Sequence, residues 1–218
     1  MQPIFITGIG TGVGKTLISA IVTEALGAWY WKPVQAGFAD GTDSEWVEER
    51  ISASSRVAPE LYKLKLPASP HIAAREEGVI ISLDKIATAL SEIAATLPAG
   101  RQLVVEGAGG LLVPLNEQEF VLDLVKKLDA TVILVSRNYL GSINHSLLTA
   151  EVCRSHGLKV AGWIFNDQYL HYEQEIVSWS GVPRIGSVPF GNLPDAEFVR
   201  VQAGLIGPAL RKVLGINQ

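Results

Sequence analysis

The chain has 218 residues, 48% hydrophobic and 18% charged, with a formal net charge of -4 and one cysteine. That acidic balance, with no dense Lys/Arg stripe, argues against a protein that tracks a nucleic-acid backbone, and no apolar run approaches the roughly 18 residues of a membrane span. Lone Cys153 can close no internal disulfide and has no metal-ligand cluster around it; it reads as core packing.

The chain enters an apolar strand, Ile4-Phe5-Ile6, within a few residues of its start and without a basic leader, so a cytoplasmic protein is expected. Next comes Gly8-Ile9-Gly10-Thr11-Gly12-Val13-Gly14-Lys15-Thr16, then a helix from Lys15 to Leu26 with apolar spacing at Leu17, Ile18, Ile21, Val22 and Leu26. Glycines on a strand-to-helix turn let several backbone N–H groups approach phosphate oxygens, and the helix N-terminus adds partial positive charge. Lys15 can reach terminal phosphates and the Thr16 hydroxyl can sit on a magnesium ion. Five residues separate Gly8 from the Gly14-Lys15 pair, where the usual phosphate loop has four, so this loop is a variant.

Trp29-Tyr30-Trp31 leads into Lys32-Pro33-Val34, read as a strand that opens into a polar loop from Gln35 to Asp43. Leu83 to Leu97 is an amphipathic helix capped by Ser82 and stopped before Pro98. Leu103-Val104-Val105 is a buried strand ending in Glu106-Gly107-Ala108-Gly109-Gly110. Strand Thr131 to Val135, helix Ser142 to His156, strand Val160 to Phe165, helix Tyr169 to Trp179, strand Arg184 to Val188 and helix Val201 to Leu214 complete the alternation. The order predicts an α/β fold of the P-loop NTPase type, a mostly parallel sheet flanked by helices on both faces. No repeat or low-complexity linker interrupts it, so one nucleotide-binding domain over residues 1–218 is expected.

Loops at the carboxyl ends of strands line the crevice of such a sheet, which puts Lys32, Asp43 and Glu106 on one rim with the phosphate loop. Glu106 reads as an acid near a metal, or as a surface carboxylate at a strand end. Asp43 reads as a metal ligand or as part of the helix cap Gly41-Thr42-Asp43-Ser44. With Thr16 and nucleotide phosphates they would form a sensible partial shell for magnesium. Lys32 either faces an anion or snorkels from a strand end. His71, His145, His156 and His171 show no pairing with a nucleophile, and none is given a catalytic role. The guanine-reading Asn-Lys-x-Asp pattern is missing; Phe165-Asn166-Asp167-Gln168 stands near its place, and the Asn166 amide can pair donor and acceptor with adenine.

Taken together, Thr7-Gly8 through Thr16, Lys32-Pro33-Val34-Gln35, Ser69-Pro70-His71, Val105 through Gly110, Leu140-Gly141-Ser142-Ile143-Asn144-His145 and Ala161-Gly162-Trp163 with Asn166-Asp167 resemble the dethiobiotin synthetase family. The resemblance implies a homodimer that converts 7,8-diaminopelargonate, CO2 and ATP, with Mg2+, to dethiobiotin, ADP and phosphate through a carbamate and its phosphoric anhydride. It further implies that Gly12, Val13, Gly14, Lys15 and Thr16 hold the nucleotide phosphates and Asn166 the adenine. Thr16, Asp43 and Glu106 would hold the metal, and Thr11, Lys15 and Lys32 would attend the reacting groups. Lys32 also touches substrate, whose carboxylate is held by Gly141, Ser142, Ile143 and Asn144 from across the dimer. Phosphoryl transfer of this kind needs positioning and charge neutralisation rather than a protein nucleophile.

One departure stands out: Ala36 occupies the place after Gln35 where the family usually has a Ser or Thr. The competing reading is a partitioning-type P-loop switch ATPase, which would carry a second lysine early in the loop, where Ile9-Gly10-Thr11 has none. A cobyrinate-type ligase would need an amidotransferase domain for which the chain has no room, and a bare nucleotide-binding module would not need Lys32 or Gly141 to Asn144.

Overall fold

Parallel strands buried on both faces need apolar side chains at consecutive positions, and the computed structural model, which describes residues 2–53, 56–167 and 169–216, uses them that way. The strands are β1 (Ile4–Gly8), β2 (Trp29–Trp31), β3 (Val34–Ala36), β4 (Val57–Ala58), β5 (Tyr62–Leu64), β6 (Leu103–Glu106), β7 (Thr131–Arg137), β8 (Lys159–Asn166) and β9 (Arg184–Val188). Helices are α1 (Lys15–Leu26), α2 (Asp43–Glu48), α3 (Pro70–Glu76), α4 (Leu83–Thr96), α5 (Val121–Lys127), α6 (Ser142–Ser155), α7 (Glu173–Ser180) and α8 (Ala196–Leu214). Seven strands form one parallel sheet in the order β4-β2-β6-β1-β7-β8-β9, while β3 and β5 pair in parallel as a separate ribbon.

Alternation along each strand sorts the core into two layers. Ile4 and Ile6 of β1 pack with Ile18, Ile21 and Val22 of α1 and with Val199, Ile206 and Leu210 of α8. Phe5, between them, points the other way into a layer with Ile86, Leu124, Ala150, Cys153 and Ile176 from α4 to α7. Trp163 and Phe165 of β8 join this second layer in a stacked pair with centroids 5.9 Å apart, and the Trp163 indole N–H donates to Ser180 Oγ at 3.1 Å. Truncating either ring to Ala would cost about 3–5 kcal/mol.

Several boundaries differ from the sequence reading. The strand through Lys32-Pro33-Val34 is instead two: β2 stops at Trp31, and Val34 opens β3, which leaves the large sheet for β5. Pro33 has no N–H to offer a ladder, so a break there costs no hydrogen bond. Gln35 and Ala36 thus belong to a strand rather than a loop. Helix α7 starts at Glu173, because Tyr169–His171 form a 3-10 turn with positive φ at Leu170 (56°) and His171 (50°); Gln168 lies outside the described residues. Helix α8 starts at Ala196 rather than Val201, with Asp195 accepting from the Phe198 amide at 2.8 Å. The Ser82 cap of α4 is present, its hydroxyl accepting from Lys85 N at 3.3 Å. Among the described residues no helix is long and apolar enough to cross a membrane.

Cys153 is buried in α6, and burial pushes its thiol up to about 12. A thiol-disulfide reagent at pH 8 should therefore leave the native chain unlabelled and modify it stoichiometrically once denatured. Rapid labelling of the folded protein would show that this layer opens.

Candidate active site

Sheet order determines what meets what. Strands β2, β6 and β1 lie side by side, with Trp31 opposite Val105 and Ile6 opposite Glu106, so their carboxyl ends deliver Lys32, Glu106 and the loop after Gly8 to one crevice. The loop turns into α1 through Gly14, whose φ of 90° is left-handed. A Cβ at Gly14 would sit 2.0 Å from Asn166 Nδ2, so glycine is required there on two counts.

Glu106 is 1% exposed, yet every side of its carboxylate has a donor. Thr16 Oγ1 donates to Oε1 at 3.1 Å, Lys32 Nζ to the same oxygen at 3.1 Å, and Tyr30 OH to Oε2 at 2.9 Å. Burial alone would raise its pKa, but the charges of Lys32 and Lys15 and the Tyr30 hydrogen bond outweigh it, and the carboxyl lies below its ordinary value. The same burial, with the neighbouring carboxylate, pushes the Tyr30 hydroxyl well up. Lys32 Nζ also bonds Asp43 Oδ2, so the ammonium bridges two carboxylates.

The cap reading of the Asp43 segment holds, and the Asp43 side chain faces Lys32. Thr42 is the N-cap of α2, completing a capping box with Glu45, and this leaves the Asp43 carboxylate free to turn to Lys32. Gln35, absent from the sequence reading of the site, pins that turn: its Nε2 donates to Gly37 O at 2.8 Å, and its Oε1 accepts from Asp43 N at 3.4 Å. Lys15 is buried, with Nζ donating to Gly10 O at 2.8 Å. Burial lowers its ammonium to about 8; Glu106 opposes that fall and Lys32 adds to it.

These groups line a cavity of about 720 Å³, with Thr11 and Gly12 on the loop side and Ala36 and Ser69 opposite. Its size suits a nucleotide phosphate chain with a small organic partner. Thr16, Asp43 and Glu106 are hard oxygen donors of the kind that magnesium takes when phosphates and water fill its remaining positions, so the set fits that ion.

Val13 enters the site through its backbone alone, and Gly141 to Asn144 stand apart from the cavity. Val13 is buried and faces away; its carbonyl accepts from Asn166 Nδ2 at 3.0 Å, so one donor of that amide already braces the phosphate loop. Gly141 to Asn144 lie outside the cavity. Ser142 is buried, with its hydroxyl 2.6 Å from Tyr172 OH and its amide bonded to Tyr139 O at 2.9 Å. The first bond of α6 runs from His145 N to Gly141 O, which leaves the amides of Ile143 and Asn144 ahead of the ladder.

A family profile described as an AAA domain matches residues 2–197. An ATP-dependent dethiobiotin synthetase of Cytophaga hutchinsonii is 51% identical over 169 residues, covering 76% of this chain and 77% of the relative. One from Bradyrhizobium is 44% identical over 191 residues, covering 87% and 88%. Among solved structures, the cell-division protein MinD of Aquifex aeolicus superposes with a TM-score of 0.62 at 17% identity, covering 100% and 99% of the two chains. The Pyrococcus horikoshii septum site-determining protein, solved with Mg-ADP, gives 0.54 at 15% identity over 100% and 97%. At such low identity these two establish the fold alone.

A lysine half-charged near pH 8 must gain a proton to serve a polyphosphate. Nucleoside triphosphate binding should therefore take up a fraction of a proton at pH 8.5, and affinity should weaken as pH rises through 8, approaching about tenfold per unit. Calorimetry in two buffers of different ionisation enthalpy measures the uptake. Lys15→Arg, which stays charged, should abolish it; equal uptake in that variant would assign the proton to another group.

Proposed function

The chain belongs to the ATP-dependent dethiobiotin synthetase family, and from that premise we propose that its cavity joins 7,8-diaminopelargonate and CO2 with ATP in one place. The observation that carries the reading is Lys32 held between Glu106 and Asp43 beside the phosphate loop, a cation stored where anionic intermediates form.

One amine of the diamine takes up CO2 to give a carbamate. The carbamate oxygen attacks the γ-phosphorus of ATP, releasing ADP, and the second amine then attacks the carbonyl of the mixed anhydride and expels phosphate as the ring closes. Lys15 neutralises the terminal phosphates, and the amides of Gly12, Val13 and Gly14 cradle them with Thr11 alongside. Lys32 meets the carbamate and the charge that develops during transfer. Thr16, Asp43 and Glu106 would hold Mg2+, which supplies charge neutralisation at the phosphates. Asn166, whose amide stands against the loop at Val13, reads adenine.

The amides of Ile143 and Asn144 hold the substrate carboxylate from a second copy. Support for a homodimer comes from their distance from their own chain's cavity, and from Leu140, 95% exposed beside Gly141. Such an enzyme works in the cytoplasm.

ADP release should require the diamine and coincide with a cyclic urea detectable by mass spectrometry; hydrolysis indifferent to the diamine, with no such product, would point to a switch ATPase instead. Lys15→Ala should cripple ATP use. Lys32→Ala should leave ADP affinity within about twofold yet lower ring closure by roughly 10²–10³-fold, as loss of a transition-state donor does. Wild-type turnover in both variants would defeat the roles assigned.

A further inference from the structure

Carbamate formation from an amine and CO2 releases a proton, and that proton needs a way out of a cavity crowded with fixed charges. Both carboxylates lining it face Lys32, and the Glu106 oxygens also accept from Thr16 and Tyr30. Gln35 is engaged on both sides of its amide. Ser69 differs. It stands at the N-cap of α3, but its hydroxyl caps no amide; it lies 3.0 Å from His71 Nδ1.

His71 in turn lines a second cavity, of about 520 Å³, between Gly78–Ile81 and the turn that holds Glu117 and Glu119. The exposed residues Val79 and Ile80 border it, so it opens to solvent. The Ser69–His71 hydrogen bond is thus a polar connection between the reaction cavity and an outer one.

We propose that Ser69 and His71 form a relay that exports the proton of carbamate formation; the idea rests on the reaction assigned above. The amine lone pair forms the C–N bond as a C=O pair of CO2 moves to oxygen. The N–H proton passes to Ser69 Oγ while the Ser69 hydroxyl proton passes to His71 Nδ1. The imidazolium then gives a proton from Nε2 to solvent in the outer cavity, and the ring regains its starting tautomer by exchange with water. Charged groups around the pair are Arg75 on the same helix, Glu117 and Glu119 on the facing turn, and Lys15, Lys32, Asp43 and Glu106 on the cavity side.

His71→Asn keeps an acceptor for Ser69 but cannot carry a proton. Dethiobiotin formation should fall about 10²-fold in this variant, with ADP affinity unchanged. Added imidazole should restore part of the rate to His71→Gly. Ser69→Ala should show the same loss, and combining it with His71→Asn should add nothing; it also carries the test should the histidine variant fail to fold. A wild-type rate in His71→Asn overturns the relay, as does a loss in His71→Gly that ignores imidazole. Wild-type enzyme that makes no dethiobiotin brings down the assigned reaction, and the relay with it; the relay alone fails when wild type turns over normally.

Discussion

A carboxylate removed from water must be surrounded by donors or give up its charge, and Glu106 has been surrounded. Three side chains from three parts of the chain, Thr16 from α1, Tyr30 from β2 and Lys32 beyond it, converge on its two oxygens. Removing any one leaves part of a buried charge unpaired; losing the charged partner of a pair as buried as Lys32 and Glu106 costs about 3–5 kcal/mol. The requirement fixes the crevice, because those donors can meet only if β2, β6 and β1 are neighbours and end at the same level.

The same concentration of charge explains the two lysines. Both are buried among partners, but they are held differently. Lys32 is bridged by two carboxylates, whereas Lys15 donates to a loop carbonyl and burial lowers its ammonium to about 8. In the reaction proposed, a nucleotide phosphate would complete the environment of Lys15, and an anionic intermediate would compete with existing partners at Lys32. Charge is stored in one case and summoned in the other.

Much of this was legible in the sequence because it depends on local pattern. The glycines before Lys15, the apolar run that ends at Glu106 and the Ser82 cap are short-range signals, and the structure contains each of them. What escaped depends on distant partners or short elements. The detour of β3 to β5 needs the partner strand to be known, and α3 and α5, of seven residues each, carry too few turns for a periodic signal, whereas α2 announced itself through the cap Gly41-Thr42-Asp43-Ser44. The early start of α8 did have a signal, Asp195 ahead of Ala196 and Glu197. Tyr30 and Gln35 look like ordinary strand residues until the fold sets them against Glu106 and Asp43. The Ser69 and His71 pairing is two residues apart in sequence, but only the cavities on either side give it meaning.

The break at Lys32-Pro33 divides the walls of the reaction chamber between two frameworks that share no backbone ladder. The phosphate loop and Glu106 hang on the seven-stranded sheet, while Val34 to Ala36 hang on the ribbon with β5. Substitutions along the ribbon can reshape what the chamber accepts without altering the register of the strands that manage the nucleotide. Ala36 stands on that appendage, so the one wall position without a hydroxyl beside Gln35 can change its chemistry while the phosphate loop and Glu106 keep their places.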